Sequence, residues 1–334
     1  MTDKKILITG GAGYIGSHTV RLLANRGYQI IVLDNLVYGH REAIINQEVE
    51  LIVGDLGDKE LTARLFEYHE FDAVIHFAAY AFVGESVVDP EKYYQNNIAA
   101  PLNLLEVMRK NDCNKFIFSS TCATYGNPQY TPIDENHPQN PINPYGQSKL
   151  MLELILKDYA KAYGTKYAFL RYFNASGASP DGLIGEDHNP ETHLIPLILD
   201  AVAGDRPHIT VFGTDYETPD GTCIRDYIHV DDLATAHLAA LEHLLADKES
   251  VICNLGTGVG VSVKEMITKV EEVTGRKVPV VYGERRAGDP PYLFANPTHA
   301  KNTLGWEAKY KDVKDIITHA WSWKTGKFKG HFKG

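Results

Sequence analysis

Tyr145 and Lys149 stand four residues apart in the run Tyr-Gly-Gln-Ser-Lys. On a helix this spacing puts both side chains on one face, with Cβ atoms about 5 to 6 Å apart, so that they share one proton network. A free phenol titrates near pH 10, and bringing it to about 7 takes roughly 4 kcal/mol of preferential stabilisation of the phenolate. A neighbouring ammonium and a cationic cofactor ring are the two available sources. Upstream, Ser119-Ser120-Thr121 closes an apolar run and adds a hydroxyl partner. Thr121 would then hydrogen-bond a reacting alcohol while Tyr145 exchanges its proton and Lys149 supports the phenolate, an acid and base arrangement suited to reversible alcohol oxidation. The hydride has to be carried by a cofactor.

A place for that cofactor is written near the start of the chain. Gly10-Gly11-Ala12-Gly13-Tyr14-Ile15-Gly16 lies between an apolar strand-like run and a helical pattern. Glycines there let the backbone approach a pyrophosphate, and the helix N-terminus supplies unpaired amides. The spacing is Gly-x-x-Gly-x-x-Gly on Gly10, Gly13 and Gly16. Asp34 ends the second apolar run, where a carboxylate accepts hydrogen bonds from the adenosine ribose and repels a 2'-phosphate, so NAD is expected over NADP.

The elements that must hold these groups follow from periodicity. Apolar runs at residues 5–9, 29–33, 50–53, 73–76, 115–119 and 167–171 alternate with helical patterns at 15–26 and near Lys59, Asn96 and Tyr145, the rhythm of a parallel sheet. The expected fold class is α/β: a doubly wound, Rossmann-type sheet over residues 1–173, and a second, smaller α/β substrate domain over 174–334, with the chain crossing back between the lobes. Gly, Pro and Asp-rich loops at 178–190 and 213–221 suit the second lobe. Gly256-Thr257-Gly258 reads as a structural turn before a helix opened by Ser262 and Glu265, and the Lys and Gly-rich tail after Trp323 is expected to fray.

At 334 residues, with 44% hydrophobic and 23% charged residues, the chain has the make-up of a globular two-domain protein. Acidic residues outnumber basic ones 43 to 33; no basic block marks a nucleic-acid partner, and an anionic ligand has to be met by local cations. No apolar run of about eighteen residues marks a membrane span, no leader precedes the first strand, and a cytoplasmic protein is expected. Cys113, Cys122, Cys223 and Cys253 are widely spaced, against disulfides or structural zinc. Glu186, His188, Glu191 and His193 lie close in sequence but lack a helical i,i+4 ligand pair, so no metal is expected.

Residues 10–18, His76-Phe77-Ala78-Ala79, Val83-Gly84-Glu85-Ser86, residues 145–149 and the stretch 220–229 together resemble the UDP-glucose 4-epimerase family of the extended short-chain dehydrogenase/reductase superfamily, over nearly the whole chain. The related dehydratases carry an Asp-Glu pair after the catalytic Thr, where this chain has Cys122 and Ala123, so groups for eliminating water are missing. The resemblance implies tightly held NAD, a UDP-sugar substrate, C4 epimerisation without net redox, and a homodimer through helices flanking the sheet. It implies that Tyr14, Ile15, Asn35, Asp55, Leu56, Phe77, Ala78, Ala79, Asn96, Ser119, Tyr172 and Phe173 line the cofactor site with the residues already named. For the substrate it implies Phe173, Asn174, His193 (where Asn is common), Leu194, Phe212 on uracil, Arg225 and Arg286 on the diphosphate, Asp289 on ribose and Leu293 beside the sugar. Ala81 stands where some relatives have Lys. Two competing readings are a UDP-xylose or UDP-arabinose 4-epimerase sharing the catalytic residues, and a silent NAD-binding regulator.

Overall fold

A computed structural model describes residues 3–286 and 288–332. Six strands of the first half, β1 (Lys5–Thr9), β2 (Gln29–Asp34), β3 (Glu50–Val53), β4 (Ala73–His76), β5 (Lys115–Thr121) and β6 (Lys166–Tyr172), match the expected apolar runs to within two residues. Those after them are β7 (Asn174–Ser176), β8 (Ile209–Phe212), β9 (Ile224–His229), β10 (Val251–Leu255), β11 (Gly260–Ser262), β12 (Val280–Gly283) and β13 (Tyr292–Leu293). The large sheet runs β3-β2-β1-β4-β5-β6-β10 and every pairing in it is parallel. Strand order reverses direction between β1 and β4, the place where ligands meet open α/β sheets at the strands' carboxyl ends. The residues singled out for chemistry stand there.

Helices cover both faces, and strand alternation decides which side chain goes where. Ile6, Ile8, Ile75 and Ile117 point toward α1 (Tyr14–Asn25), burying Val20 and Leu23, and toward α8 (Val230–Leu245), burying Leu233, Leu241 and Leu244. Leu7, Val74, Phe116 and Phe118 point to the other face. There they meet α2 (Lys59–Tyr68), α5 (Ala100–Lys110) and α6 (Pro144–Tyr163) through Leu65, Phe66, Leu104, Met108, Leu152 and Leu156. Between α2 and α5 lie short helices α3 (Val83–Val88) and α4 (Pro90–Tyr94) and a π-helical turn at Gln95–Ala99, where the sequence suggested one helix.

The smaller part packs α7 (Leu194–Ala203), α9 (Val263–Thr274) and α11 (Val313–Thr325) around Ile198, Val211, Met266, Val270 and Ile317. Its strands form two small groups: β9 pairs with β7, β11 and β13, and β8 pairs with β12. Helix α10 (Thr298–Leu304) packs beside β10, which completes the large sheet from the second half of the chain. As far as the described residues go, the tail does not fray as expected: Phe328 and Phe332 pack on Trp323, and the Phe332 amide donates to Asp187 Oδ2 at 2.8 Å. Two aromatics four residues apart outweigh the Lys and Gly content. Among the described residues no helix is long and apolar enough to cross a membrane.

Candidate active site

Helix α6 opens at Asn143, whose side chain accepts from the Gly146 amide at 2.8 Å, with Pro144 in the first turn; it closes at Gly164 in the left-handed conformation. A capped start fixes the rotation of the helix, and with it where Tyr145 and Lys149 point. Both are buried, as is Thr121 at the end of β5. Thr121 stands beside the Tyr145 phenol, and its hydroxyl accepts from the Ala123 amide at 3.1 Å. Lys149 Nζ donates to the Ser119 carbonyl at 2.9 Å and lies 6.0 Å from the centre of the Tyr145 ring. Thus the three residues read from spacing converge on one point.

Their electrostatics differ from the expectation in one respect. Burial pushes the Tyr145 phenol well above its ordinary range, reinforced by Tyr172 and opposed by the Thr121 hydrogen bond. Burial also lowers Lys149 to about 7, against the pull of Glu153. Protein groups alone therefore leave the phenol protonated, and Lys149 is not a permanent cation beside it. A positively charged ligand beside the phenol would supply the downward pull. His76, hydrogen-bonded to Thr9 Oγ1 at 2.7 Å and lowered to about 3 by burial and Lys149, is a neutral floor to the site.

The glycine loop fits a dinucleotide. A Cβ on Gly10, at φ +72, would lie 2.5 Å from the Ala78 amide nitrogen, and one on Gly16 would lie 2.2 Å from the Gly10 carbonyl; these two glycines close the turn. A Cβ on Gly13 would only touch the Gly10 carbonyl, at 3.4 Å, but as N-cap of α1 this glycine offers no side chain to the first-turn amides, which are left for an anion. Asp34 is buried, accepting from the Ala12 amide through Oδ2 and the Leu36 amide through Oδ1, both at 2.9 Å. Asn35 donates to Asp55 Oδ2 at 2.9 Å, so Asp34, Asn35 and Asp55 stand together, with Leu56 buried behind. The amides of Phe77 and Ala78 are both taken by the Thr9 carbonyl, so those donors are not free for a ligand. Tyr14 donates to the Gly177 carbonyl at 2.6 Å, Ser119 Oγ to Tyr172 at 3.0 Å, and Asn96 to its neighbour Asn97.

The groups proposed for a nucleotide sugar gather around β9. Arg225 does not pair with the adjacent Asp226; it reaches the Pro290 carbonyl at 2.9 Å and Asp289 at 3.5 Å. Asp226 is buried and accepts from Thr257, Gly258 and Ala295 amides, which makes 256–258 the structural turn expected of it. The Asn174 side chain donates to the Asp226 carbonyl at 2.8 Å, and Arg286 lies 4.1 Å over the Phe212 ring. Leu293 pairs in register with Arg225 and packs with Phe173, Tyr125 and Ile133. Leu194 begins α7, and His193, half-exposed just before it, faces Glu186 and Glu191 rather than β9.

Sequence reasoning missed the residues that hold the site in place. Arg171 on β6 is buried and forms a two-point pair with Glu153 on α6, at 2.9 and 2.5 Å. Glu153 also accepts from Ser120 at 2.6 Å, and Arg171 donates to Tyr125, which donates to Asn254 on β10 at 2.6 Å. Asn97 ties Tyr80 to Ser148. An arginine inside an apolar strand run is the signal that was available, since such a charge is buried only with a partner.

Residues 6–256 match the model of the NAD dependent epimerase/dehydratase family. The chain is 51% identical over 318 residues, 95% of each chain, to a UDP-glucose 4-epimerase of Halalkalibacterium halodurans. It superposes with a TM-score of 0.93 on the Brucella ovis UDP-glucose 4-epimerase in complex with NAD, at 52% identity over 95% of this chain and 97% of that one. The Bifidobacterium longum UDP-glucose 4-epimerase in complex with NAD+ and UDP gives 0.91, at 41% identity over 96% and 98%. The chain therefore belongs to the NAD dependent epimerase/dehydratase family and, within it, to the UDP-glucose 4-epimerase group.

Proposed function

We infer that this protein is an NAD-dependent epimerase that interconverts UDP-glucose and UDP-galactose at C4. The carrying observation is the buried meeting of Thr121, Tyr145 and Lys149 at the carboxyl end of β5, beside the glycine loop. Gly10, Gly13, Gly16, Asp34 and Asp55 would hold the cofactor; bound NAD supplies a hydride acceptor and donor and a positive ring charge. Thr121 orients the sugar C4 hydroxyl, Tyr145 takes its proton and later returns it, and Lys149 relays charge behind the phenol. These groups are anchored on a strand and a capped helix, so inversion requires the sugar to turn about its diphosphate link between the two proton transfers. Arg225, Arg286, Phe212 and Asp289 provide the cations, ring face and carboxylate that a uridine diphosphate calls for, with Leu293 walling the sugar. The direct test is incubation with UDP-galactose and no added NAD, resolving the products: UDP-glucose at equilibrium is expected, and an unchanged substrate, or NADH accumulating only when NAD is added, overturns the assignment.

We also propose a homodimer through α5 and α6, supported by Leu102, Met151 and Leu154, which are 37%, 38% and 50% exposed on those helices. A monomer in sedimentation equilibrium would refute this. Four cysteines without a disulfide suit a reducing cytoplasm, the compartment we assign.

A further inference from the structure

Four side chains away from the catalytic groups converge with no part in the chemistry above. Glu186, His188, Glu191 and His193 each place one ligand atom so that all four lie within 4.8 Å of one another. Their spacing lacks a helical pair, but here a loop, rather than a helix, gathers them just before α7. His188 Nδ1 lies 3.3 Å from Glu186 Oε1 and 3.6 Å from Glu191 Oε2; His193 Nδ1 lies 2.7 Å from Glu186 Oε1 and 3.1 Å from Glu191 Oε1. Ligands about 2.0 to 2.2 Å from a tetrahedral zinc ion stand roughly 3.3 to 3.6 Å apart; both His188 distances match this, and the two His193 distances are shorter.

A second observation points to a ligand. Glu186 is only 8% exposed, yet its Oε1, although 2.7 Å from His193 Nδ1, makes no hydrogen bond of acceptable geometry, and neither does His188 Nδ1. A buried carboxylate oxygen without a donor costs about 1 to 3 kcal/mol or more. A cation between the four groups would satisfy both orphaned atoms at once.

We propose that Glu186, His188, Glu191 and His193 form a site for a divalent transition metal of the zinc class. Two imidazoles and two carboxylates make a neutral complex with a dication, and the mixed nitrogen and oxygen donors suit zinc better than calcium or magnesium. The role follows from position. The ligands clamp an eight-residue loop to the start of α7, and the His188 ring meets Tyr14 of the cofactor loop edge-on at 6.1 Å. The metal is thus a structural staple between the loop before α7 and the cofactor loop.

The test uses untagged, full-length protein carrying its bound NAD. After treatment with a chelator and dialysis, calorimetric titration with zinc chloride should show about one equivalent bound per chain, with a rise in thermal midpoint. A Glu186→Gln, His188→Ala double variant, checked by circular dichroism and NAD content, should show neither. Cobalt(II)-loaded wild type should show the visible absorption of tetrahedral coordination. Binding below about a tenth of an equivalent by the wild type, or equal uptake by wild type and double variant, overturns the proposal; the first outcome does not depend on whether any variant folds.

Discussion

Tyr145 is the residue at which chemistry and packing are most clearly separable. Its hydroxyl is the group proposed to move the proton while its ring is buried, so Tyr145→Phe removes the hydroxyl and keeps the ring. Turnover of UDP-galactose should fall by about two to four decades, with NAD content and thermal midpoint nearly unchanged; near-normal turnover would show that another group moves the proton. Lys149 gives a pH signature. Its folded value of about 7 lies below its ordinary 10.5, so between those values the unfolded chain binds a proton that the folded protein does not. Folded-state stability then rises with pH across this window and is flat, for this group, below it. In urea unfolding of NAD-free protein, the stability of wild type relative to Lys149→Met should increase by about 1 kcal/mol or more from pH 7 to pH 9. A pH-independent difference would place the amine in a solvated setting. Leu293, in the short strand beside Arg225, sets the third expectation: Leu293→Gly should raise kcat/KM for UDP-N-acetylglucosamine relative to UDP-glucose by roughly 10 to 200-fold, as relief of a 1 to 3 kcal/mol clash would. An unchanged ratio in a folded, active variant means that Leu293 only packs the core.

Among the elements, α6 matters most because it carries two of the three groups proposed for catalysis. Its apolar side packs on the sheet, but the Glu153 pair with Arg171, shared with Ser120, fixes its position along β5 and β6. Glu153→Ala leaves a buried guanidinium unpaired and should cost about 3 to 5 kcal/mol in chemical unfolding; a loss under about 1 kcal/mol would mean the helix is held by its apolar face alone. The contrast also explains what was legible in the sequence. Thr121, Tyr145, Lys149 and the glycine loop declare themselves through local spacing, and six parallel strands through short apolar runs. Glu153, Arg171, Asp226 and Asn97 draw their roles from partners on other elements, which no local pattern reveals. β10 escaped for a similar reason: Val-Ile-Cys-Asn-Leu is an ordinary short run, and only the assembled sheet shows that it lies beside β6.

For the molecule as a whole, that seventh strand makes the two halves of the chain interdependent. Residues 1–173 contain the glycine loop and all three proposed catalytic residues, yet without β10 and α8 they expose the β6 edge of the sheet and the part of the Ile6, Ile8, Ile75 and Ile117 face that α1 does not cover. Expressed alone, this fragment should be insoluble or lack a cooperative unfolding transition and NAD; a soluble, NAD-binding fragment would show that β6 is a sufficient edge. The same connection governs how the protein is made. Leu255 leaves the ribosome roughly 80 residues after Tyr172, about 4 to 16 s later at ~5 to 20 residues per second. During that interval a nascent chain carries six strands and an open β6 edge, so each ribosome holds a sticky intermediate that must be shielded until the seventh strand arrives.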